Sequence, residues 1–270
     1  MKKDLLIIIP AYNEEECIED VLDALECPEI REIADVLIMN DASSDNTSWI
    51  AKKRKYKVIT HVFNLGYGSA IQLGYKYAVR RRYDYVIQMD ADGQHDVNNI
   101  PRIYEELKKA DADGRYPDIV LGSRFLPGSS EFHVGGCKKF AIRLFRHYIR
   151  RHTHVSIQDP TSGLQGLRFP AFLYYSKYGH FDERYPDANM ILQMLLLGYR
   201  IREIPATMHA RETGKSMHSG LRPIGYMLHM ACSLLWITYQ YQFKKKDAGI
   251  GESGAISTKK YTDEKTEIYG

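Results

Sequence analysis

Short apolar runs alternate with amphipathic segments along most of the chain. Each run covers four to six positions and gives way to polar residues. Runs of this length are typical of buried strands in a sheet that is covered on both faces. The predicted strands are Leu5–Ile9, Val36–Met39, Val58–Val62, Tyr85–Met89, Asp118–Gly122, Gln165–Phe169 and Tyr199–Ile204.

Helical periodicity fills the segments between these strands. Ile18, Val21 and Leu22, for example, recur at the spacing of one helix face. Further helices are predicted at 49–55, from about 70 to 82, and at 97–109, 170–178 and 187–197. Strands that alternate with helices favour an α/β fold, in which a mostly parallel, doubly wound sheet has helices on both faces and right-handed crossovers.

Residues 137–151 predict an amphipathic helix with many positive charges. Its apolar stripe consists of Phe140, Ala141, Leu144, Phe145 and Tyr148, and its cations are Lys138, Lys139, Arg143, Arg146, Arg150 and Arg151. A basic amphipathic helix with aromatic residues is typical of a segment that lies on an anionic membrane surface. The alternative is a helix that packs on the core and keeps its basic face in water.

Residues 226–243 form the most apolar stretch of the chain. This length is marginal for a spanning helix, which takes about 20 apolar residues. Trp236, Tyr239 and the run Lys244–Lys246 fit a helix at the level of anionic lipid headgroups. A helix that packs on the core or on a second subunit of a homo-oligomer fits the pattern equally well.

The same pattern divides the chain into three parts. We expect a folded domain over residues 1–218, the apolar helix over 219–246, and a tail over 247–270. The tail is rich in Gly, Ser, Thr, Lys and Glu and is predicted to be disordered.

Composition and charge narrow the class of protein. The 270 residues carry a net charge of +3, so no overall field points to a nucleic-acid partner. The four cysteines form no C-x-x-C pair, which favours reduced thiols in a cytosolic protein. The run Leu5–Ile9 is too short for a signal sequence and is interpreted as the first strand.

Two carboxylates follow the fourth predicted strand. Asp90 and Asp92 are two positions apart, so in an extended segment their side chains point to the same side. Sheets of this class place their chemistry just beyond the carboxyl ends of the strands. The pair therefore predicts a site for a hard cation such as Mg²⁺ or Mn²⁺, which prefers oxygen ligands and often carries phosphates. The alternative is an ordinary acidic turn, because Asp-Gly is common turn chemistry.

Several polar motifs, taken together, resemble the family 2 inverting glycosyltransferases. They are Ile9-Pro10-Ala11-Tyr12-Asn13-Glu14-Glu15, Asn40-Asp41-Ala42-Ser43-Ser44-Asp45-Asn46-Thr47, Asn64-Leu65-Gly66-Tyr67-Gly68, Asp90-Ala91-Asp92-Gly93-Gln94-His95, Gly122-Ser123-Arg124-Phe125 and Asp159-Pro160-Thr161-Ser162-Gly163. The last two are similar to the branch that includes dolichol-phosphate mannose synthase and bacterial polyprenyl-phosphate glycosyltransferases. The resemblance covers residues 4–216 and implies the GT-A nucleotide-diphospho-sugar fold.

The resemblance implies donor-side roles for the motifs in the first half of the chain. Pro10, Tyr12 and Glu14 match residues that hold the base and ribose, and Asp41 matches a carboxylate that recognises the base. Gly66 and Gly68 are expected to let the backbone approach the nucleotide. Asp90, Ala91 and Asp92 are implied to lie near the ribose and the metal, and Gln94 matches a metal contact.

The resemblance also implies roles near the diphosphate or the acceptor. Arg124, Arg211 and Ser216 match such positions, and Lys215 adds a further cation. Asp159 and Asp187 are candidates for a general base, although Asp159 before a proline also predicts a turn and Asp187 a helix N-cap. The chain departs from the family pattern in having Asn40 in place of Asp, Ala42 in place of Gly and Tyr67 in place of Lys.

Three functions fit these residues. The first is metal-dependent, inverting transfer of a hexose from a UDP- or GDP-sugar to a polyprenyl phosphate at the cytoplasmic membrane face. A phosphate acceptor needs cations rather than a base, since its second pKa is about 6. The second function is transfer to a sugar hydroxyl of a surface polysaccharide, which does need a base. The third is an inactive domain that binds a nucleotide sugar.

Overall fold

A computed structural model describes residues 3–130, 136–209 and 222–247 of the chain. The strands are β1 (Leu5–Ala11), β2 (Ala34–Asn40), β3 (Lys57–Thr60), β4 (Tyr85–Gln88), β5 (Ile119–Ser123), β6 (Gln165–Arg168) and β7 (Ile201–Pro205). The helices are α1 (Ile18–Ala24), α2 (Pro28–Ile33), α3 (Thr47–Lys53), α4 (Tyr67–Arg80), α5 (Asn99–Leu107), α6 (Gly136–Thr153), α7 (Phe169–Ser176), α8 (Ala188–Leu196) and α9 (Arg222–Asp247).

The strands form one sheet in the order β3-β2-β1-β4-β6-β5-β7. The prediction of a mostly parallel sheet is confirmed, but β6 runs antiparallel to both of its neighbours. The sequence pattern did not predict this reversal. It arises because residues 154–164 return the chain to the edge at which β5 ends, where the N–H of Gly122 donates to the carbonyl of Leu164 at 3.0 Å.

Side chains of the strands alternate between two cores. Leu6 and Ile8 of β1 pack on one face of the sheet, and Ile7 and Ile9 pack on the other. The first face is covered by α4, α6, α7, α8 and α9, and the second by α1, α2, α3 and α5. Helices on both faces agree with the doubly wound prediction and explain why β1 is apolar at every position.

Some predicted boundaries were wrong. The third strand ends at Thr60 rather than at Val62, whose side chain is 84% exposed. Helix α2 was not predicted, because its six residues are too few to display helical periodicity. Its start at Pro28 is nevertheless the first-turn position at which proline is most favourable.

The apolar stripe of α6 also differs from the prediction. Phe145 and Ile149 are buried, as are Ala141 and Ile142, whereas Phe140 is 64% exposed and Leu144 is 47% exposed. The helix therefore packs on the core along one face and presents two large apolar side chains to the outside.

Helix α9 docks on the same core through Met230 and Leu234. Within the described ranges, no helix has both the length and the apolarity that crossing a membrane would require. Asp247, placed in the tail by the sequence, closes α9, and the rest of that predicted tail lies outside the described residues.

Candidate functional site

Polar motifs meet along one edge of the sheet. The carboxyl ends of the parallel strands point to this edge, and the antiparallel β6 begins there, because Gln165 pairs with Gln88 at the end of β4. The segments that reach the edge are residues 12–16, 41–46, 61–66, 89–95, 124–130, 159–164 and 206–209. This gathering agrees with the general position of sites in open α/β sheets.

The loops after β1 and β2 are joined by side-chain-to-backbone hydrogen bonds. The N–H of Glu14 donates to Thr47 Oγ1 at 2.9 Å, and the N–H of Ser44 donates to Asn13 Oδ1 at 2.8 Å. Pro10 is buried within β1, whereas Tyr12 is 47% exposed beside this double loop. Of the three residues predicted to hold the base and ribose, Pro10 is buried, Glu14 is half-buried and Tyr12 is exposed.

Asp41 is buried and holds the loop that follows β3. Its Oδ1 accepts from the N–H of Leu65 at 2.9 Å and lies 2.7 Å from Nδ1 of His61, and its Oδ2 accepts from the N–H of Gly66 at 2.8 Å. The predicted role in base recognition stays a prediction. What the structure adds is that this carboxylate already organises its own neighbouring loop.

The two loop glycines contact the chain's own backbone. Gly66 has φ +98°, a conformation that glycine adopts without strain. A Cβ at Gly68 would stand 2.1 Å from the carbonyl oxygen of Asp182, so no side chain fits there. The predicted approach of this backbone to a nucleotide stays a prediction. In the structure the backbone at Gly68 lies against residues 182–183, where the carbonyl of Glu183 also accepts from the N–H of Ser69 at 3.2 Å.

Asp90 is held by two side chains. The hydroxyl of Tyr67 donates to Oδ1 at 2.7 Å, and Nε2 of His95 lies 3.2 Å from Oδ2. Burial raises the pKa of Asp90, but the hydrogen bonds from His95 and Tyr67 outweigh burial, so the pKa lies below its usual value. The carboxylate is therefore ionised at neutral pH.

Asp92 and Gln94 lie in the turn just beyond Asp90. The N–H of Gln94 donates to Asp92 Oδ1 at 3.1 Å, and both side chains are half-buried. Ala91 between the two carboxylates is buried in the core, so only its backbone could contact a nucleotide.

The residues fit a divalent ion that arrives with a diphosphate. In the part of the chain that the structure describes, no three His, Cys, Asp or Glu side chains converge into a closed metal site. Mg²⁺ is usually bound through one or two carboxylates together with substrate phosphates, rather than in an all-protein cage. Asp90, Asp92 and Gln94 supply oxygen donors only, which matches that mode of binding.

Arg124 and Asp159 form an ion pair away from solvent. Arg124 Nε lies 2.7 Å from Asp159 Oδ2, one terminal nitrogen lies 2.7 Å from Oδ1, and the side chains are 6% and 0% exposed. Burial lowers the pKa of Arg124, but Asp159 more than compensates, and the charges of Asp187 and Asp90 raise it further. Arg124 is therefore within electrostatic reach of three carboxylates.

Asp159 has no exposed surface through which it could take a proton from an acceptor. Its own N–H donates to Glu203 Oε1 at 2.7 Å, and the N–H of Gln158 donates to Oε2 at 2.6 Å. Burial raises the pKa of Glu203 above its usual value. The predicted turn at Asp159 is thus held in place by hydrogen bonds to Glu203 of β7. For Asp159 to accept a proton, its ion pair with Arg124 would have to break.

Asp187 precedes α8 at the N-cap position, but its side chain does not cap the helix. Instead, the hydroxyl of Tyr226 in α9 donates to Asp187 Oδ2. The side chain that accepts hydrogen bonds from the N–H groups at the start of α8 is that of Asn189, whose Oδ1 accepts from Asp187 and Met190. The cap prediction was therefore wrong in detail, and Asp187 remains half-buried near Arg124.

The last described residues before position 210 lie against the acidic motif. The N–H of His209 donates to the carbonyl of Gln94 at 2.8 Å. Arg211, Lys215 and Ser216, three of the predicted site residues, lie outside the described residues. Their roles stay predictions.

Sequence reasoning missed several residues of this edge. Tyr67 was noted only as a departure from a family pattern, and His95 only as part of a motif. Glu203 and Tyr226 carry no sequence signal, since they belong to a half-buried strand and to an apolar helix. Their partners are 44 and 39 positions away in the chain, a distance at which no local pattern operates.

Comparison with known proteins identifies relatives of this chain. The model of the family "Glycosyl transferase family 2" matches residues 6–174. The undecaprenyl-phosphate mannosyltransferase of Micrococcus luteus is 31% identical over 224 residues, which cover 80% of this chain and 88% of that protein. The dolichol-phosphate mannosyltransferase of Pyrococcus furiosus is 28% identical, over 85% of this chain and 63% of the relative.

Solved structures agree on the fold. Glucosyl-3-phosphoglycerate synthase from Mycobacterium tuberculosis, in complex with Mn²⁺, UDP-glucose and phosphoglyceric acid, superposes with a TM-score of 0.63. The match covers 93% of this chain and 82% of that chain at 18% identity. The expected GT-A fold is thereby confirmed.

Proposed function

The chain belongs to glycosyl transferase family 2, and we propose that it transfers a hexose from a UDP- or GDP-sugar to a polyprenyl phosphate at the cytoplasmic membrane face, with inversion at the anomeric carbon. The observation that carries this proposal is the meeting of Asp90, Asp92 and the Arg124–Asp159 pair at one sheet edge. Relatives that act on undecaprenyl phosphate and on dolichol phosphate support the choice of acceptor.

The donor end of the site is the acidic edge of the sheet. Asp90, Asp92 and Gln94 would hold Mg²⁺ or Mn²⁺ together with the diphosphate, and the bound ion would stabilise negative charge on the leaving group. Tyr12, Glu14 and Asp41 would face the nucleoside, and Gly66 and Gly68 would keep the adjoining loop in place.

The reaction needs no proton transfer from the acceptor. A phosphate oxygen of the lipid attacks the anomeric carbon from the side opposite the nucleotide. As that bond forms, the bond between the anomeric carbon and the diphosphate oxygen breaks, and its electron pair leaves with the nucleoside diphosphate. A phosphate monoester is largely dianionic at neutral pH, because its second pKa is about 6.

Arg124 would face the developing charge as a rigid cation. Positioned charges act strongly when they need not reorganise during the reaction. The bond to Asp159 fixes the guanidinium in one orientation, which makes Asp159 a positioning residue in this proposal. Arg211, Lys215 and Ser216 would add groups near the phosphates.

A second candidate is transfer to a sugar hydroxyl, for which Asp187 is the supporting observation. It is half-buried, it lies within electrostatic reach of Arg124, and it accepts a hydrogen bond from Tyr226. These features suit a general base better than the enclosed Asp159 does. Asp187→Asn would abolish transfer to a hydroxyl and would leave transfer to a phosphate largely intact.

The membrane side of the proposal rests on α9 and α6. Large apolar side chains form a stripe on the outer face of α9, which consists of Leu228, Leu235, Trp236, Tyr239 and Phe243. The hydroxyls of Tyr148 in α6 and Thr238 in α9 lie 3.0 Å apart, so the two helices pack together. This stripe, with Phe140, Leu144 and the exposed Arg143 and Arg150 of α6, would lie on an anionic lipid surface.

The test is transfer of radiolabelled hexose from UDP-glucose or GDP-mannose to polyprenyl phosphate, followed by extraction into organic solvent. We expect labelled lipid with the unmodified protein, its loss in EDTA and its recovery with added Mg²⁺ or Mn²⁺. Asp92→Ala should reduce transfer at least about 100-fold, as expected when a ligand of a catalytic ion is removed. Label that enters only a sugar acceptor would favour the second candidate.

A further inference from the structure

Two side chains that the proposed reaction does not use are directed at one of its carboxylates. Tyr67 is the first residue of α4, and His95 lies beyond the acidic turn. They approach Asp90 at different oxygens, at 2.7 Å and 3.2 Å. A carboxylate bonded at both oxygens by groups from separate elements cannot rotate freely about its side-chain torsions.

Tyr67 is itself held in place. The preceding residue, Gly66, donates its N–H to Asp41 at 2.8 Å, and the following residues pack on the 182–183 backbone. The phenol hydroxyl is thus delivered from the anchored start of a helix. The hydroxyl is the donor of the hydrogen bond to Asp90, because an ionised carboxylate oxygen can only accept.

One ring nitrogen of His95, Nε2, is hydrogen-bonded to Asp90, and the other, Nδ1, has no hydrogen-bond partner among the described residues. The side chain is 4% exposed, and Nδ1 is buried. Leaving a buried polar atom without a partner carries a free-energy cost. The side chain keeps this position, which directs its other nitrogen at Asp90.

Gly163 closes a third side of the carboxylate. A Cβ on this glycine would stand 2.7 Å from Asp90 Oδ2, so the backbone of residue 163 lies directly beside that oxygen. The Asp90 side chain nevertheless keeps 31% of its surface exposed. It is therefore enclosed by Tyr67, His95 and Gly163 and open toward the sheet edge.

We propose that Tyr67 and His95 are positioning residues that hold Asp90 in the one orientation in which it meets a nucleotide-bound divalent ion. This inference rests on the proposed function, since it assigns partners to a carboxylate of the same site. Outer partners that orient ligating groups commonly change metal affinity about 10- to 100-fold when they are mutated. Such an effect is separate from any effect on folding.

The experiment measures Mn²⁺ affinity by electron paramagnetic resonance, in the presence of UDP or GDP and without any acceptor. Tyr67→Phe removes only the hydroxyl, and we expect it to weaken Mn²⁺ binding about 10- to 100-fold. His95→Leu should have an effect of the same size. His95→Gln, which can place an N–H close to the position of Nε2, should restore affinity to within about threefold of the unmodified protein, because it returns the hydrogen bond.

A matched control separates positioning from stability. The hydroxyl of Tyr104 donates to Asp4 Oδ1 at 2.6 Å, so Tyr104→Phe removes another Tyr–Asp hydrogen bond away from the site. This control should leave Mn²⁺ affinity unchanged and lower the thermal midpoint at least as much as Tyr67→Phe does. If His95→Leu fails to fold, the smaller change Tyr67→Phe decides the matter.

Each outcome has a distinct meaning. Unchanged Mn²⁺ affinity in Tyr67→Phe, or equal loss in His95→Gln and His95→Leu, would overturn the inference while the proposed function stood. An unmodified protein that binds no Mn²⁺ with either nucleotide would overturn both together. A sugar hydroxyl acceptor in place of a lipid phosphate would leave the inference intact, since the measurement contains no acceptor.

Discussion

Arg124 and Asp159 are joined through both carboxylate oxygens, and Asp159 has no exposed surface. The backbone N–H of Arg124 also donates to Asp159 Oδ2 at 3.0 Å. This pair connects the end of β5 to the segment before β6, and so it ties the reversed strand to the functional edge. A residue that could have been a base is thus the partner of a buried cation.

The first prediction concerns this pair. Asp159→Asn removes the carboxylate that forms an ion pair with the buried Arg124 guanidinium, and removing one partner of a buried pair costs about 3–5 kcal/mol. We expect a loss of that size in the free energy of unfolding, measured by urea denaturation. Asp113→Asn is the control, because Asp113 pairs with Arg115 and Arg200 at the surface, where such pairs contribute little. Loss of transfer with unchanged stability would instead identify Asp159 as a base.

The second prediction concerns acid stability at the α9 contact. Asp182 Oδ2 lies 3.1 Å from Nε2 of His229 and accepts from Asn189 at 2.7 Å. Burial raises the pKa of Asp182. The hydrogen bonds from the N–H groups of Tyr185 and Arg184, together with the one to His229, lower it by a larger amount, so the pKa lies below its usual value.

The sign of the pH effect follows from this lowered pKa. The folded state binds the proton of Asp182 less readily than the unfolded state does, so the contribution of Asp182 is fully present above the unfolded pKa of about 4 and is lost as pH falls through the folded value. We expect the difference in unfolding free energy between the unmodified protein and Asp182→Asn to shrink as the pH falls below about 4. A difference that grows below about pH 4 would contradict the assignment.

The third prediction concerns the backbone at Ala42. This residue has φ +58°, a left-handed conformation that costs an ordinary residue roughly 1 kcal/mol. Ala42→Gly should therefore raise the free energy of unfolding by up to about 1 kcal/mol, after the greater freedom of glycine in the unfolded chain is subtracted. Ala24→Gly at the exposed end of α1 is the control and should lower it, by less than the roughly 0.5–1 kcal/mol of a change in the middle of a helix. Equal destabilisation by both changes would show that the loop does not hold this conformation.

The fourth prediction concerns the outer face of α9. Trp236 and Trp49 are both 59% exposed, but they lie on helices that cover opposite faces of the sheet. Trp236→Ser should lower binding to liposomes that contain anionic lipid by about tenfold, because burying a large apolar side chain contributes roughly 1.5–3 kcal/mol. Trp49→Ser should leave binding unchanged, and the binding of both proteins should weaken with salt.

Cosedimentation with liposomes measures the binding of the two variants. Sedimentation equilibrium without lipid measures the mass of the protein and tests whether the stripe instead forms a dimer contact. If the stripe packs on a second copy of the chain, Trp236→Ser will shift a dimer toward monomer and liposomes will not discriminate between the two variants. If both variants bind liposomes equally and neither changes the mass of the protein in solution, the stripe is neither a lipid-binding surface nor a dimer contact.

The sequence by itself determined most of the helices and strands and the sheet edge at which the candidate side chains lie. Apolar runs such as Leu5–Ile9 correspond to β1, and the acidic motif at Asp90 follows β4 as expected. Strands and helices can be predicted in this way because a strand that is buried on both faces has a run of apolar residues, and an amphipathic helix has apolar residues at a regular spacing. Parallel strands then place the residues after their carboxyl ends at a common edge, whatever the details of packing.

Only the tertiary structure decided the partners of the functional side chains. Three features depend on residues that are far apart in the chain. They are the antiparallel direction of β6, the ion pair of Asp159 with Arg124, and the hydrogen bond of Tyr67 to Asp90. A local pattern states that a residue is buried, but not which residue it meets. For Tyr67 and Asp90, 23 positions apart, the partner was fixed by how α4 docks on the sheet.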